Sequence, residues 1–356
     1  MRRRQSFLGQ RMTTKQDSAP VTLEYIKTIG IVNNGFNGRG FANPYDLAIT
    51  ADGTIYVINR CDTARASAIR VGILNFDEDY LGEFGYGNGS GDGQFVWAVS
   101  MRLDSQERLL ITDEHNHRIS IFDTSGKFLE KWGTPGSAPG ELNGPAGIDI
   151  DGDDNVYIVD QHNSRIQKFT IDGKYIAHWG EFGSEPGQLN LPWGVSVGPD
   201  GSVFVADWRN DRIQKFSPEG DVLAVYGESG DGDGQFSRPA GLTVAPDGVI
   251  FVADWGNERV QVLNSDGSFA LKLRGQATVS KWAADYFASN PEELEAREIA
   301  NMTPELPAHL RSAYHESSQS EPYFWGPVAV RLDNHGRVYV SEANRHRLQI
   351  YQRTDV

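Results

Sequence analysis

Cysteine is almost absent: Cys61 stands alone in 356 residues, so no disulfide can form within the chain. That fits a reducing compartment, and a cytoplasmic protein is expected. Long apolar runs are missing too. None approaches the roughly 18 residues that a membrane helix needs, so no membrane partner is expected. Positive charge is scarce, with 33 Lys and Arg against 48 Asp and Glu, a net charge of −15. Residues 1–20 hold Arg2, Arg3, Arg4, Arg11 and Lys15 against Asp17; removing that balance of +4 leaves −19 for the rest. Such a body repels phosphate backbones, which disfavours RNA or DNA as partner. Neither a Walker-type phosphate loop nor a CxxC pair occurs, no serine is taken as a nucleophile elbow, and no hydrolytic triad can be read from the scattered Ser and His.

The opening Arg2-Arg3-Arg4-Gln5-Ser6-Phe7-Leu8-Gly9 has the arginine pair of a twin-arginine export signal, but no apolar region follows it. Residues 1–21 are therefore expected to be a disordered basic tail, with Met12 an alternative start, and 22–356 a single domain.

What the chain does have is repetition. Asp113, Asp160, Asp207 and Asp254 are 47 residues apart, as are Arg118, Arg165, Arg212 and Arg259, and Gly147, Gly194 and Gly241. Within one period four strand-like runs follow each other, 194–197, 203–206, 212–216 and 222–226, with turn formers such as Pro199-Asp200-Gly201 between them. Four antiparallel strands per unit of this length describe a propeller blade. The runs are nearly continuous in apolar residues, as expected where neighbouring blades cover both faces of each sheet. Counting the degenerate copies gives six blades. The first spans 44–85, with Asn59 in place of the aspartate, and the last, 326–352, has only three strands. Tyr25–Gly30 matches the missing fourth, so the N-terminal strand is expected to close the ring against the C-terminal blade. The fold class is thus all-β, a six-bladed propeller.

The pattern GxxxGQF/L…PxG…DGxVYVAD…NxRIQKF…G…WG resembles the NHL-repeat family over about residues 22–352, except 276–322. The resemblance implies a six-bladed propeller and a choice of roles: RNA- or protein-binding modules, sensor domains, and a zinc-dependent amidating lyase for peptidyl-hydroxyglycine. In that lyase three histidines just after the inner-strand proline hold the zinc. Here those positions are Tyr45, Ala146, Trp193, Ala240 and Val328, so that zinc site is not expected. Related lactonase propellers hold a calcium in the channel, and the comparable carboxylate here is Asp46, where three other blades have Gly147, Gly194 and Gly241. Asp46 is therefore the candidate ligand for a channel Ca2+.

The repeated Asp and Arg pair, Asp207 with Arg212 for example, reads as structural because several blades share it. Asp151–Asn155 and Gly230–Gly234 look a little like calcium loops, but lack the ligand spacing of a hand-type site and read as turns. Function is expected where the repeat breaks. An excess of seven residues falls mostly within 60–69, and forty-one more lie within 276–322; by strand parity both emerge on the top face. In the longer insertion, Asn290-Pro291 opens a helix to about Ala300, Thr303-Pro304 starts another turn, and 280–288 forms a short helix placing Trp282, Tyr286 and Phe287 on the propeller. A helical cap over the mouth is expected.

Several aromatic and basic residues should gather at that mouth. The expected ligand-binding set is Arg60, Trp97, Trp193, Trp208, Arg209, Trp255, Trp325 and Arg345, suited to a small organic, aromatic or anionic molecule. Should chemistry occur, Tyr45, Asp46, His115 and His162 are the candidates, in a lactonase-like hydrolase or a lyase. His115, His117 and His162 do not make a tetrahedral metal site by themselves. A protein-interaction scaffold is the alternative, with a protein partner on the top face, and the chain is expected to be a monomer.

Overall fold

The computed structural model describes residues 20–33 and 38–356. Most of the expected basic tail, and the choice between Met1 and Met12, lie outside the described residues.

Among them stand six four-stranded antiparallel sheets. In the fourth, the strands are Val195–Val197, Val203–Asp207, Arg212–Phe216 and Val222–Tyr226, within one residue of the bounds expected from the sequence. The second strand is buried at every residue, and so are its counterparts Leu109–Asp113, Val156–Asp160 and Ile250–Asp254. That is why these runs do not alternate: side chains on both faces enter the cores shared with adjacent blades. Outer strands are the reverse, and Val222, Leu223 and Val225 are exposed.

The last sheet joins the two ends of the chain. Leu23–Ile29 pairs antiparallel with Arg347–Arg353, from Leu23 opposite Arg353 to Ile29 opposite Leu348. Ring closure through the N-terminal strand is what the sequence led us to expect.

Each blade is latched by its repeated polar residues. The Asp207 carboxylate, fully buried, accepts from Asn190 N (2.8 Å), Asn210 Nδ2 (2.8 Å), Arg212 Nε (2.8 Å) and Gln214 Nε2 (3.0 Å). Arg212 then donates to the carbonyls of Ser184, Glu185 and Gln188, in the loop entering the blade. Asp160 and Asp254 repeat the arrangement, and Glu342 holds Arg347 and Gln349 in the sixth blade. A buried charge needs this degree of pairing to be tolerated. Blade two departs from it. Arg118 keeps its three carbonyl contacts, but its Nε lacks a partner and Asp113 is held by Val96 N, Trp97 N and Asn116 instead. In blade one, Asn59 replaces the aspartate and Arg70 pairs with Glu83 at 2.8 Å.

A second repeated device links neighbouring blades, and sequence identity gave no sign of it. The residue after the top turn has left-handed backbone in five blades, and in four of them its side chain accepts from a backbone N–H at the start of the next blade, Ser164 of the third blade being the exception. His117 Nδ1 accepts from Gly144 N, Asp211 from Arg238 N, Glu258 from Gly326 N (2.6 Å) and His346 Nδ1 from Asn43 N. Burial raises the Glu258 carboxyl to about 7 from its ordinary 4.5. Between those values the folded chain holds a proton that the unfolded chain has released, so stability falls as pH rises from about 4.5 to 7. Glu258→Gln is expected to remove this contribution, flattening the difference between urea melts at about pH 5 and about pH 7.5 by up to ~3 kcal/mol.

The longer insertion forms three helices: α1 (Lys281–Ser289), α2 (Pro291–Ile299) and α3 (Ala313–Gln319). Pro291 stands in the first turn of α2 as expected, but the Asn290 side chain makes no cap bond. No helix starts at Thr303; the next turn is Ala308–Leu310. Pro307 has no N–H to return to the Thr303 carbonyl, so that first turn cannot close. The insertion fastens the ring-closing seam. Ser280 Oγ donates to Gly30 O, buried Trp282 packs on Phe41 and donates to Glu78 O, and Lys281 pairs with Asp79. Tyr286 is largely exposed, so of the expected aromatic anchors Trp282 carries the packing.

Candidate functional site

Tyr45 and Trp193 begin the inner strands of blades one and four, on opposite sides of the ring, yet their ring centroids are 6.2 Å apart. Together they close the channel from above. Beneath them the inner strands nearly touch: Gly147 N donates to Trp193 O, and a Cβ on Gly194 or Gly241 would come within 2.5 or 2.6 Å of the next blade's carbonyl. The channel interior left between them is only about 10 Å³, room for no more than one water.

Above this plug, on the side of blades four to six, lies a cavity of about 190 Å³ lined by Tyr45, Trp193, Trp208, Ala240, Trp255 and Val328. Trp208 and Trp255 face each other at 6.4 Å. Each opens the short 3-10 turn that follows a latch aspartate, so the latch aims it. The Asn210 side chain ties its turn to Asp207 and to Gly183 O, and Arg209 N donates to Asn190 O. Small Ala240, where blade four has Trp193, leaves the space open. Two guanidiniums stack on Trp208, Arg238 at 5.1 Å and Arg209 at 5.7 Å from its ring centroid. Arg238 was not singled out from the sequence, although it breaks the repeat just before an inner-strand proline.

The other expected site residues fall into separate groups. Over blades one to three, Arg60 lies on Tyr45 (4.8 Å) and Trp97 (5.4 Å) and pairs with Glu114 at 2.6 Å. His115 stands edge-on to Trp97 at 5.3 Å, and His162 Nε2 is 3.8 Å from Glu114. This cluster is packed on itself and does not line the cavity. Trp325 and Arg345 stack on each other at 5.4 Å beneath α3, with Tyr314 edge-on to Trp325 at 5.9 Å. They belong to the insertion contact, not to the mouth. The insertion contributes none of the cavity lining, so the expected cap over the mouth is corrected to a strap over the seam and blade six.

Asp46 is also corrected. It is buried in the channel wall, and its oxygens accept from Arg331 (2.7 Å), Ser100 Oγ (2.6 Å), Met101 N and Leu47 N, with Arg102 3.6 Å away. A carboxylate already bound by one guanidinium and close to a second does not fit a calcium ion. Among the described residues no three His, Cys, Asp or Glu side chains stand close enough together to hold a metal. The calcium-like loops are turns: Asp151 accepts from Asp153 N and Asn155 N, and Asp233 pairs with Lys272. One run does satisfy the letters GxSxG, Gly194–Gly198. It lies along an inner strand instead of at a strand-to-helix turn, and buried Ser196 accepts from Val244 N, so it is no nucleophile elbow.

Known proteins point the same way for the fold. The profile described as NHL repeat matches residues 189–216, 236–263 and 324–351, and one described as a 6-bladed beta-propeller matches 98–179. Human NHL repeat-containing protein 3 is 27% identical over 112 residues, so the chain spans about a third of that relative's length (31%). Among solved structures, virginiamycin B lyase from Staphylococcus aureus aligns over 93% of this chain and 99% of its own, with 13% identity and a TM-score of 0.52. A gluconolactonase from Xanthomonas campestris covers 95% and 96%, at 14% identity and TM-score 0.54. A protein of unknown function from Bacteroides thetaiotaomicron covers 94% and 76%, at 16% and 0.59. At such identities the likeness is one of fold. No helix among the described residues is long and apolar enough to cross a membrane. With the repeat, the six blades and these matches together, the chain is a six-bladed β-propeller that carries NHL repeats at 189–216, 236–263 and 324–351.

Proposed function

We propose that this propeller binds a small organic molecule with a flat apolar face at the channel mouth. The observation that carries the reading is the single cavity walled by Tyr45, Trp193, Trp208 and Trp255. Aromatic walls bind flat apolar surfaces, and the arginines stacked on Trp208 favour a ligand with a carboxylate at its edge. Similarity of fold to a lyase and a gluconolactonase supports a small-molecule role in kind. Within the cavity lining Tyr45 is the one residue with a titratable group, so binding and not catalysis is proposed.

The test uses tryptophan fluorescence with 2-naphthoate as probe. Trp208→Ala is expected to weaken binding at least about tenfold while the melting curve stays in place, since that side chain is only part-buried. Ala240→Trp, which introduces blade four's own residue, should fill the cavity and abolish binding. Unchanged affinity in both variants would remove the basis of this reading.

One observation favours docking of a partner protein instead: Trp97, beside the mouth, remains 38% exposed. A partner captured by the parent chain and lost with Trp97→Ala, but kept with Ala240→Trp, would support that role.

A further inference from the structure

The repeat breaks once more, in blade six, and the break has a charge attached. Four blades carry asparagine three residues after the latch carboxylate: Asn116, Asn163, Asn210 and Asn257. Each donates to that carboxylate and to the carbonyl 27 residues earlier. Blade six has Arg345 there. It still reaches the carbonyl 27 residues earlier, Ser318 O at 3.1 Å, and also Ser317 O at 2.8 Å, both in α3. Its Nε is buried without a hydrogen-bond partner.

The adjacent guanidiniums are neutralised. Arg347 is held by Glu342 at 2.8 Å, and Arg297 grips Glu321 with two bonds of 2.6 and 2.7 Å. Among the described residues Arg345 has no carboxylate within 4 Å. Burial, followed by the neighbouring Arg347 charge, pulls its pKa down, and the more distant Glu342 and Glu321 only partly oppose this. Beside it opens a cleft of about 370 Å³ between the insertion and blade six, roughly twice the volume of the mouth cavity. Val279, Ala283, Phe287 and Met302 supply its apolar lining.

We infer that this cleft is a second binding site, for a small organic carboxylate with an apolar body, its carboxylate on Arg345 and its body against Phe287 and Met302. A carboxylate would give Arg345 an ion-pair partner, and the apolar part of the lining, Val279, Ala283, Phe287 and Met302, would cover the hydrocarbon, while Thr28, Thr278, Ser280 and Gln319 keep the rest of the cleft polar. The site does not depend on the channel mouth, and the experiment separates the two.

The full chain is titrated calorimetrically with hexanoate and with the uncharged hexanamide, whose flexible chains lack the flat face that the aromatic walls of the mouth take. The carboxylate is expected to bind at least about tenfold more tightly than the amide. Arg345→Gln should bring it to the amide's level, Met302→Trp should abolish binding of both, and Ala240→Trp at the mouth should change neither. Because Arg345→Gln also removes two contacts to α3, Met302→Trp decides the matter if the first variant fails to fold. Equal affinity for acid and amide, no binding of either, or binding retained in Met302→Trp would each overturn the inference. Loss of binding in Ala240→Trp would place the ligand at the mouth and equally overturn it.

Discussion

Deletion of residues 1–30 is expected to abolish cooperative folding. It removes Leu23–Ile29 and leaves the seven-residue strand Arg347–Arg353 as an open sheet edge. Ile29 is fully buried and Tyr25 packs edge-on against Tyr351 at 5.7 Å. Losing a few such side chains costs roughly 1.5–3 kcal/mol each, so the total is comparable to the ~5–15 kcal/mol that holds a typical domain folded. The insertion loses its anchors as well, since Thr278 N donates to Tyr25 Oη and Thr28 Oγ1, and Ser280 to Gly30 O. The exposed edge then invites pairing between chains. Size-exclusion chromatography should show aggregates, and urea unfolding should lose its single transition. A synthetic peptide of residues 20–31 added in trans should restore both. A truncated chain that stays soluble and melts within about 3 °C of the parent would show that the seam contributes little.

Asp207→Ala is expected to cost about 3–5 kcal/mol in urea unfolding, because it strands the Arg212 guanidinium and the Asn210 and Gln214 amides in the interior. Asp113→Ala supplies the internal control. Arg118 does not bond to Asp113, so only backbone donors and Asn116 lose a partner, and a smaller cost of about 1–3 kcal/mol follows. In the double variant Asp207→Ala/Arg212→Met much of the loss should be recovered, since no unpaired charge remains. Equal losses for Asp207→Ala and Asp113→Ala would mean that the guanidinium pairing adds nothing.

The number of blades, their strands and the closure of the ring were legible because the period repeats the same local instructions: an aspartate at a strand end, turn formers, an arginine five residues on. The Asp207 latch followed from identity at a fixed spacing. The links made by His117, Asp211, Glu258 and His346 obey the same register and went unseen, because four blades solve one hydrogen-bonding need with three residue types. The candidate site was only partly legible. Strand parity correctly raised Trp208 and Trp255 to the top face, but no period reports contacts across the ring, so the meeting of Tyr45 with Trp193 could not be read. Arg345 was placed at the mouth by its register. Its side chain is drawn under α3 by the carbonyls of Ser317 and Ser318, which a long non-repeating insertion delivers. Asp46 looked available because it breaks a glycine series, yet Arg331, the partner that occupies it, comes from the far end of the chain.

The ring pair across the axis makes this propeller a cup and not a pipe. Whatever enters at the mouth must leave by the same door, so arrival and departure share one path and a bound molecule blocks its successor. Exchange would then be governed by the rim, where Trp208, Trp255 and the arginines on Trp208 stand, and a substitution there should alter residence time as much as affinity.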